Sequence, residues 1–584
     1  MKLNTFGSFT KTEKDTFNLN NNAFLRSGAW FGLIGMPQRF ASAADIGQWG
    51  ATDLFVWSRR GGVASLGTNL LMQLIPTYKG EKIAYSVTAK ATELTVNTDY
   101  GRIRFCFAEP SLMMVKGENG LGLQLWRKME MHQMARRRGD KGFETAYGYV
   151  CSMVYNPVRG SIDMDADWDF DSLSMPVVKG QVQPDESGEF LLSIEESTHF
   201  GRIREAYPSY EEALADVTAE WDAFLAARPA LASEYADDRE ETAYLTWSHL
   251  ASPAGLSKRP LLFMRQSMIA SSWQLCETAV VLKNDLPLAI ELLCSSLDLQ
   301  GPTGQIPDTC SDQSAECTRF KPPIQGWALE MLMQSHDLGK EVPAETLTYL
   351  YEGYSRWADW FTKYRDDDGD GIPQLEHGDE TGNDDSPLFL HTACVDAPEL
   401  SAFLALLYEK LGDLAGILGR TDEKEAWYAR SKDLIDKMIK LFWNGERFIA
   451  REHENHDNII DVKALEFYRP IVLGKRLPQE ILEKLTADLM EEGHYLSAAG
   501  FTVEDLADSR YTTVGTGRGK ILPSDNILII TGLYLAGRTE EAKKAAKRYI
   551  EGFRKVGTMY YAGGFIGSWA PAAWQILADL CCNG

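Results

Sequence analysis

APELSAFLALLYEKLGDLAGIL, residues 397–418, sets Leu400, Phe403, Leu404, Leu407 and Leu411 three and four positions apart, the spacing of one apolar face on a helix. Asp396 and Glu399 stand where a capping box would close its first turn. The same rhythm recurs on both sides. Helical segments are predicted near 241–252, 265–282, 286–299, 323–336, 343–364, 422–442, 462–473, 479–491, 524–536, 539–555 and 568–581, which with 397–418 makes about twelve. After Thr539, Ala542, Ala546, Tyr549 and Phe553 form an apolar stripe opposite Lys543, Lys544 and Lys547. Helices that arrive in antiparallel pairs, with long loops on one side only, close into a six-hairpin toroid. The long interruptions are 300–322, 365–396 and 492–522, and loops of that length are usually functional.

Upstream the texture differs. Between Trp30 and Glu196, segments such as KIAYSVTAKATELTVNTD (82–99), GRIRFCFAE (101–109) and GEFLLSIEES (188–197) alternate apolar and polar residues between Gly, Asn and Asp turns. Period-two patterning of this kind predicts half-buried antiparallel strands, and the region reads as a β-sandwich. Near Tyr207 the composition turns to Ala, Glu and Leu at helical spacing, broken by Pro229. The expected organisation is a multidomain α and β chain: an N-terminal β-sandwich over 1–205, a helical linker over 206–240 and a toroid over 241–584.

Bulk properties narrow the partners. A formal charge of −24 repels a phosphate backbone, which argues against nucleic acid and anionic membrane. The first residues lack a signal-peptide apolar core, and no run of about 20 apolar residues follows, so a soluble, cytoplasmic protein is expected. The cysteines, nine and unpaired by CxxC spacing, argue against a disulfide framework or a zinc cluster and for reduced thiols. Fifteen Trp and 23 Tyr offer flat faces on which sugar C–H groups stack, or equally fill a large helical core.

The densest chemistry lies in RDDDGDGIPQLEHGDETGNDDSPLF, residues 365–389, with nine carboxylates from Asp366 to Asp385. Asp366, Asp368 and Asp370 before Gly371 repeat the start of a calcium loop, although position twelve is His377 and not Glu; the alternative is a solvated acidic turn. Glu380, Asp384 and Asp385 are candidates for proton transfer, because crowding by other carboxylates raises the pKa of each toward that of a general acid; the bland alternative is an Asx-turn. Gln305 and Asp308 lie on the first long loop, Gln325, Trp327 and Glu330 at the next helix start behind Pro322 and Pro323, and Arg518, Asp525 and Asn526 on or after the last long loop. Taken singly, a Trp or Arg at a helix start is more often structural.

These segments, SSWQLCETA, GPTGQIPD, KPPIQGWALE, DDDGDGIPQLEHGDETGNDDSP, ALEFYRPIVLG and RGKILPSDNILIITGLYLAG, resemble in order and spacing the helical domain of glycoside hydrolase family 63 and its relatives, over about residues 240–575. The resemblance implies an (α/α)6 barrel that hydrolyses α-glycosidic bonds with inversion, a chemistry requiring two carboxyl groups about 6.5–9.5 Å apart. It carries the general acid to Asp384, in a stretch, Thr381 to Ser386, that resembles the family's SGWDNS motif but has Asn383 in place of Trp. Trp273 is followed by Gln274 where the family has Asp. The family's base, a Glu before the last helix, has no counterpart: GTMYYAGGFIGSWAPAAW, 557–574, contains no carboxylate. Glu504, Glu466, Asp525, Tyr560 and Tyr561 remain as substitutes.

The leading expectation is a glycosidase, α-glucosidase-like, acting on a small and mostly neutral saccharide or glycoside. Asp384 would be the acid; Trp273, Gln274, Gln305, Asp308, Gln325, Trp327, Arg518, Tyr561 and Trp569 would contact substrate. No cofactor is required; a structural calcium ion at Asp366, Asp368 and Asp370 is the alternative to a solvated acidic turn there. A lyase or epimerase on the same toroid, or a sugar-binding relative without activity, are the alternatives that the missing Glu favours.

Overall fold

The computed structural model describes residues 12–19, 22–35, 54–61, 70–129, 133–148, 150–171, 175–199, 201, 203–266, 269–390, 392–515, 517–556 and 567–584. Tyr560 and Tyr561 lie outside them.

The N-terminal part is β-rich. Among the described residues, one antiparallel sheet runs Phe31–Gly35, Leu54–Ser58, Leu70–Tyr78, Leu121–Lys128, Val177–Gln183, Ser161–Asp165, with the short Glu81–Lys82 on Leu70–Tyr78. A second, of eight strands, runs from Gln133–Arg138 to Ser86–Ala89. Alternation sets which face is buried: Leu94 and Val96 point inward and pair across the strand with Phe105 and Ile103. Apolar residues of both sheets share one core, to which helix Tyr210–Ala226 adds Tyr210, Ala213, Val217 and Trp221. That helix starts in a complete capping box, Ser209 with Glu212. The segment expected to be a linker therefore packs as part of the β-rich core.

The C-terminal part is helical, and its helices contact one another in a circuit. Ser272–Val281 touches Gln325–Met333, which touches Pro398–Ile417; this touches Leu465–Arg476, then Pro523–Leu535, then Trp569–Asn583, which returns to Ser272–Val281. Leu286–Ser295, Ala344–Tyr364, Thr421–Phe442, Gln479–Met490 and Thr539–Val556 pack on members of that circuit. Helix 398–417 is buried nearly all round, not along one stripe, as its place in the circuit demands. Thr539–Val556 keeps the expected split, with Ala542, Ala546, Tyr549 and Phe553 buried and Lys544 and Lys547 exposed.

Several local expectations are corrected. The helix predicted from 265 starts at Ser272, because Phe263 and Arg265 make isolated β-bridges ahead of it. The segment predicted at 462–473 is a 3-10 stretch, Leu465–Arg476, with Pro470 inside, where the missing N–H and ring disfavour a regular α-helix. Asp396 and Glu399 form no capping box: Ala397 is the cap residue, Pro398 occupies the first turn, and each carboxylate is used elsewhere. Trp327 is fully buried, its Nε1 donating to Thr531 Oγ1 at 3.0 Å, so it is a core residue and cannot stack on a sugar. Most of the tryptophans follow it, with Trp57, Trp247, Trp357 and Trp574 also among the largest fully buried side chains.

One buried cation ties the circuit together. The Arg469 guanidinium reaches Glu399 at 2.7 Å, Asp525 at 2.7 Å and the Thr381 carbonyl at 2.5 Å. Replacing it by Met leaves two buried carboxyl groups without their cation, and Arg469→Met is expected to cost about 3–5 kcal/mol, read as a lower urea midpoint. An unchanged midpoint would show that the cluster does not hold the helices.

Candidate active site

Trp273 enters the site from the start of helix Ser272–Val281, where the Ser271 side chain accepts its backbone N–H. Its indole N–H donates to Glu277 Oε1 at 2.7 Å, one turn below. The ring lies against Gly382, where an added Cβ would stand 3.1 Å from a ring atom and where φ is +81°, so only glycine serves. Gln274 is buried, and its Oε1 has no hydrogen-bond partner within the protein.

The stretch 381–386 is held from several sides. Glu466, fully buried, accepts from Asn383 Nδ2 at 3.2 Å and from Ser386 Oγ at 2.8 Å. Asp385 Oδ1 accepts the Gly517 N–H at 2.8 Å, which brings in the last long loop. Arg319 pairs with Asp379 and Lys321 donates to the Asp379 carbonyl at 2.6 Å, which brings in the first. All three long loops therefore meet at residues 379–386. With Asn383 turned inward on Glu466, the next residue, Asp384, is exposed. Its charge reaches Arg265 and Asp308.

Cations pair with part of the acidic stretch: Glu380, buried, pairs with Arg365 at 2.8 Å and accepts the Glu376 N–H at 2.8 Å. Burial still raises the Glu380 carboxyl, against the pull of Arg365, but its place is under the loop and not at the solvent face. Asp384 differs from Glu380 in being exposed.

Around it stand the other candidates. Asp308 is 3% exposed, its Oδ1 has no partner within the protein, and burial raises its pKa although Lys321 lies 3.8 Å away. Gln305 is used structurally, its Nε2 donating to the Arg319 carbonyl at 3.0 Å. Gln325 is buried with Oε1 unpartnered within the protein. Trp569 is half-buried, with the Arg265 guanidinium 5.8 Å from its ring centroid. Of the three described candidate bases, Glu466 is engaged by Asn383 and Ser386, Asp525 by Arg469, and Glu504 by Arg518, whose Nη2 donates at 2.6 Å. Glu504 Oε2 has no partner within the protein. Glu504 and Arg518 line a narrow cleft with Pro387, Leu390 and Tyr511, just beyond the Asp384 stretch.

Asp366, Asp368 and Asp370 do bring one oxygen each within 4.8 Å of one another. Backbone N–H groups of Gly371, Asp370 and Ile372 already donate to these carboxylates. His377 does not complete the loop, because its Nδ1 accepts the Asp379 N–H instead.

Reading the sequence missed Arg469, Glu277 and Arg265. Arg469 had a signal, a charge inside the apolar run FYRPIVL, since such a residue is buried only when paired. Glu277 had a weaker one, its place one turn after Trp273. Arg265 had none.

Residues 283–571 match the family model described as the mannosylglycerate hydrolase MGH1-like glycoside hydrolase domain. No curated protein matches the chain. Among solved structures, the chain is similar to an uncharacterized conserved protein from Thermus thermophilus, at 16% identity, TM-score 0.48, over 56% of this chain and 96% of that one. It is also similar to the GH63 mannosylglycerate hydrolase of the same organism in complex with glucose, at 18% identity, TM-score 0.47, over 56% and 96%.

Burial lifts the Glu277 carboxyl from its ordinary 4.5 to about 8. Between those values the folded state keeps a proton that the unfolded chain has released, so stability falls as pH rises, by up to about 1.4 kcal/mol per pH unit. Below 4.5 both states are protonated and above 8 both are ionised, so the slope ends there. Glu399, lifted to about 8 by burial, adds to the same window. Glu277→Gln should flatten part of the decline in urea midpoint from pH 5.5 to 8; an unaltered slope would remove the assignment.

Proposed function

Because residues 283–571 belong to the mannosylglycerate hydrolase MGH1-like glycoside hydrolase family, within the broader family 63 group, we propose that this protein hydrolyses an α-glycosidic bond in a small saccharide or glycoside, with inversion and with Asp384 as general acid. The closed circuit of helices, with further helices packed outside it, supports an (α/α)6 barrel, and the two sheets sharing one core support an N-terminal β-sandwich. Because the intervening helix packs on the sheets, the β-rich domain extends past 205 and its limit falls near 240. No described helix is long and apolar enough to cross a membrane.

The observation that carries the reading is the convergence on Asp384. The three long loops meet at its stretch, and the preceding residue is pulled down onto a buried glutamate, which leaves the carboxyl group facing outward. A sugar placed there would be near Trp273, which packs on Gly382, and within reach of Asp308 and Arg265, with Trp569 beside Arg265. Asp384 would hand its proton to the glycosidic oxygen as the bond breaks. Arg265, whose Nε has no partner within the protein, can donate to a sugar hydroxyl or to an acidic aglycone. Acid–base hydrolysis of this kind needs no cofactor.

For the base we select Glu504 among the described candidates. Glu466 is fully buried under Asn383 and Ser386 and Asp525 is paired with Arg469, whereas Glu504, with one oxygen on Arg518, lines a cleft beside the acid stretch. Arg518 then orients the base instead of binding sugar.

The absence of any carboxylate in 557–574 favours a second reading, in which a sugar is bound without hydrolysis or is transformed by proton abstraction. Proton NMR of the reaction mixture separates the two. Hydrolysis with inversion gives the opposite anomer first; an unsaturated or epimerised sugar, or no change, would favour the second reading. Once a substrate is found by screening disaccharides and glycosides, Asp384→Asn should lower kcat about a thousandfold or more, and Glu504→Gln about a hundredfold or more, with unchanged circular dichroism. Near-normal turnover in Asp384→Asn would end the assignment of the acid.

A further inference from the structure

Away from the Asp384 stretch, the carboxylate loop meets a small sheet. Gln374–Leu375, Val395–Asp396, Ala450–Glu452 and Asn455–Ile460 are neighbours in that order, with Asp396 opposite Arg451. His453 lies in the hairpin turn and His456 on the returning strand. Asp368 arrives from the loop after helix Ala344–Tyr364, held by the Asx-turn in which the Asp370 N–H donates to its Oδ1 at 3.2 Å.

One nitrogen from each imidazole and one Asp368 oxygen lie within 4.8 Å of one another, a spread that ligands drawn onto a single ion can close. Behind them is Asp396, with no exposed surface. Its carboxylate stands 3.0 Å from His453 Nδ1 and 2.6 Å from His456 Nε2. His456 Nε2, the nitrogen on Asp396, is also 3.9 Å from Asp368 Oδ2, so two carboxylates converge on one ring atom. Here one buried carboxylate engages both rings. Asp368 is exposed and His456 partly so, which leaves a way in from solvent.

We infer that Asp368, His453 and His456 bind a divalent transition cation of the zinc type, with the buried Asp396 carboxylate held against both imidazoles. Two imidazoles and one carboxylate are the donor set of a borderline ion, whereas calcium takes six to eight oxygens. The site is distinct from the all-oxygen grouping of Asp366, Asp368 and Asp370 and competes with it, because both use Asp368. A cation there would clamp the carboxylate loop to the hairpin 450–460. It would act as a positioning element for the segment leading to Asp384 and take no part in bond cleavage.

The test is calorimetric titration of chelator-stripped, full-length protein with zinc chloride and, separately, with calcium chloride. One equivalent of zinc should bind, at least tenfold more tightly than calcium, and raise the melting temperature. His456→Gln and Asp368→Asn should each weaken zinc at least tenfold and abolish the thermal shift; Asp368 is exposed, so its replacement leaves the fold intact. Absence of zinc uptake, uptake unchanged in both variants, or calcium bound more tightly than zinc would each overturn the assignment.

Discussion

A guanidinium buried among carboxylates is the constraint on which the helical part of this protein rests. Arg469 lies on the 3-10 segment Leu465–Arg476, and its ion pairs reach the starts of helices Pro398–Ile417 and Pro523–Leu535. Its Nη1 also takes the Thr381 carbonyl, at the head of the stretch that carries Asp384. Burial alone would favour the neutral forms of all these groups. Mutual pairing wins for Arg469, whose pKa is raised, while the Glu399 carboxyl stays lifted by burial and by the neighbouring Glu466 and Asp525. Such a cluster contributes less net stability than apolar packing of equal volume would, but it has one satisfactory geometry. Fold and candidate site thus share one polar anchor.

The site is built on the same plan. Its walls are groups committed to one another: Trp273 on Glu277, Asn383 and Ser386 on Glu466, Asp385 on the Gly517 amide. Atoms left without protein partners, on Gln274, Asp308, Gln325 and Glu504, are buried polar groups that a ligand or ordered water must satisfy. Sugars are rich in the matching donors and acceptors. The β-rich part takes a share in the arrangement, because Arg60 bridges Glu196 of its last strand and Asp312 of the first long loop.

How much of this was legible in the sequence depended on periodicity. Helices with a single buried face, such as Thr539–Val556, were readable with their lysine faces, and the β-rich segments were readable by alternation. Inner helices were readable as helices, but not as buried all round, because continuous apolar character gives no face to count. Side-chain partners were hardest. Asp396 and Glu399 looked like a capping pair and serve instead a histidine pair and Arg469, since residues 57 to 70 positions away decide their use. Asp384 could be chosen by resemblance, yet its environment, exposed and beside Arg265 and Asp308, comes only from tertiary structure. Trp327 shows the converse, a residue in a suggestive motif that packing takes for the core.

The most direct measurement is a crystal structure with a non-hydrolysable, sulfur-linked analogue of whichever disaccharide the protein turns over. The account predicts the linking sulfur within about 3.5 Å of an Asp384 oxygen, as a proton donor requires, with a sugar ring between Trp273 and Arg265. An analogue seated elsewhere, for instance in the outer groove lined by Tyr351, Trp427 and Arg430, with Asp384 contacting none of it, would contradict the account.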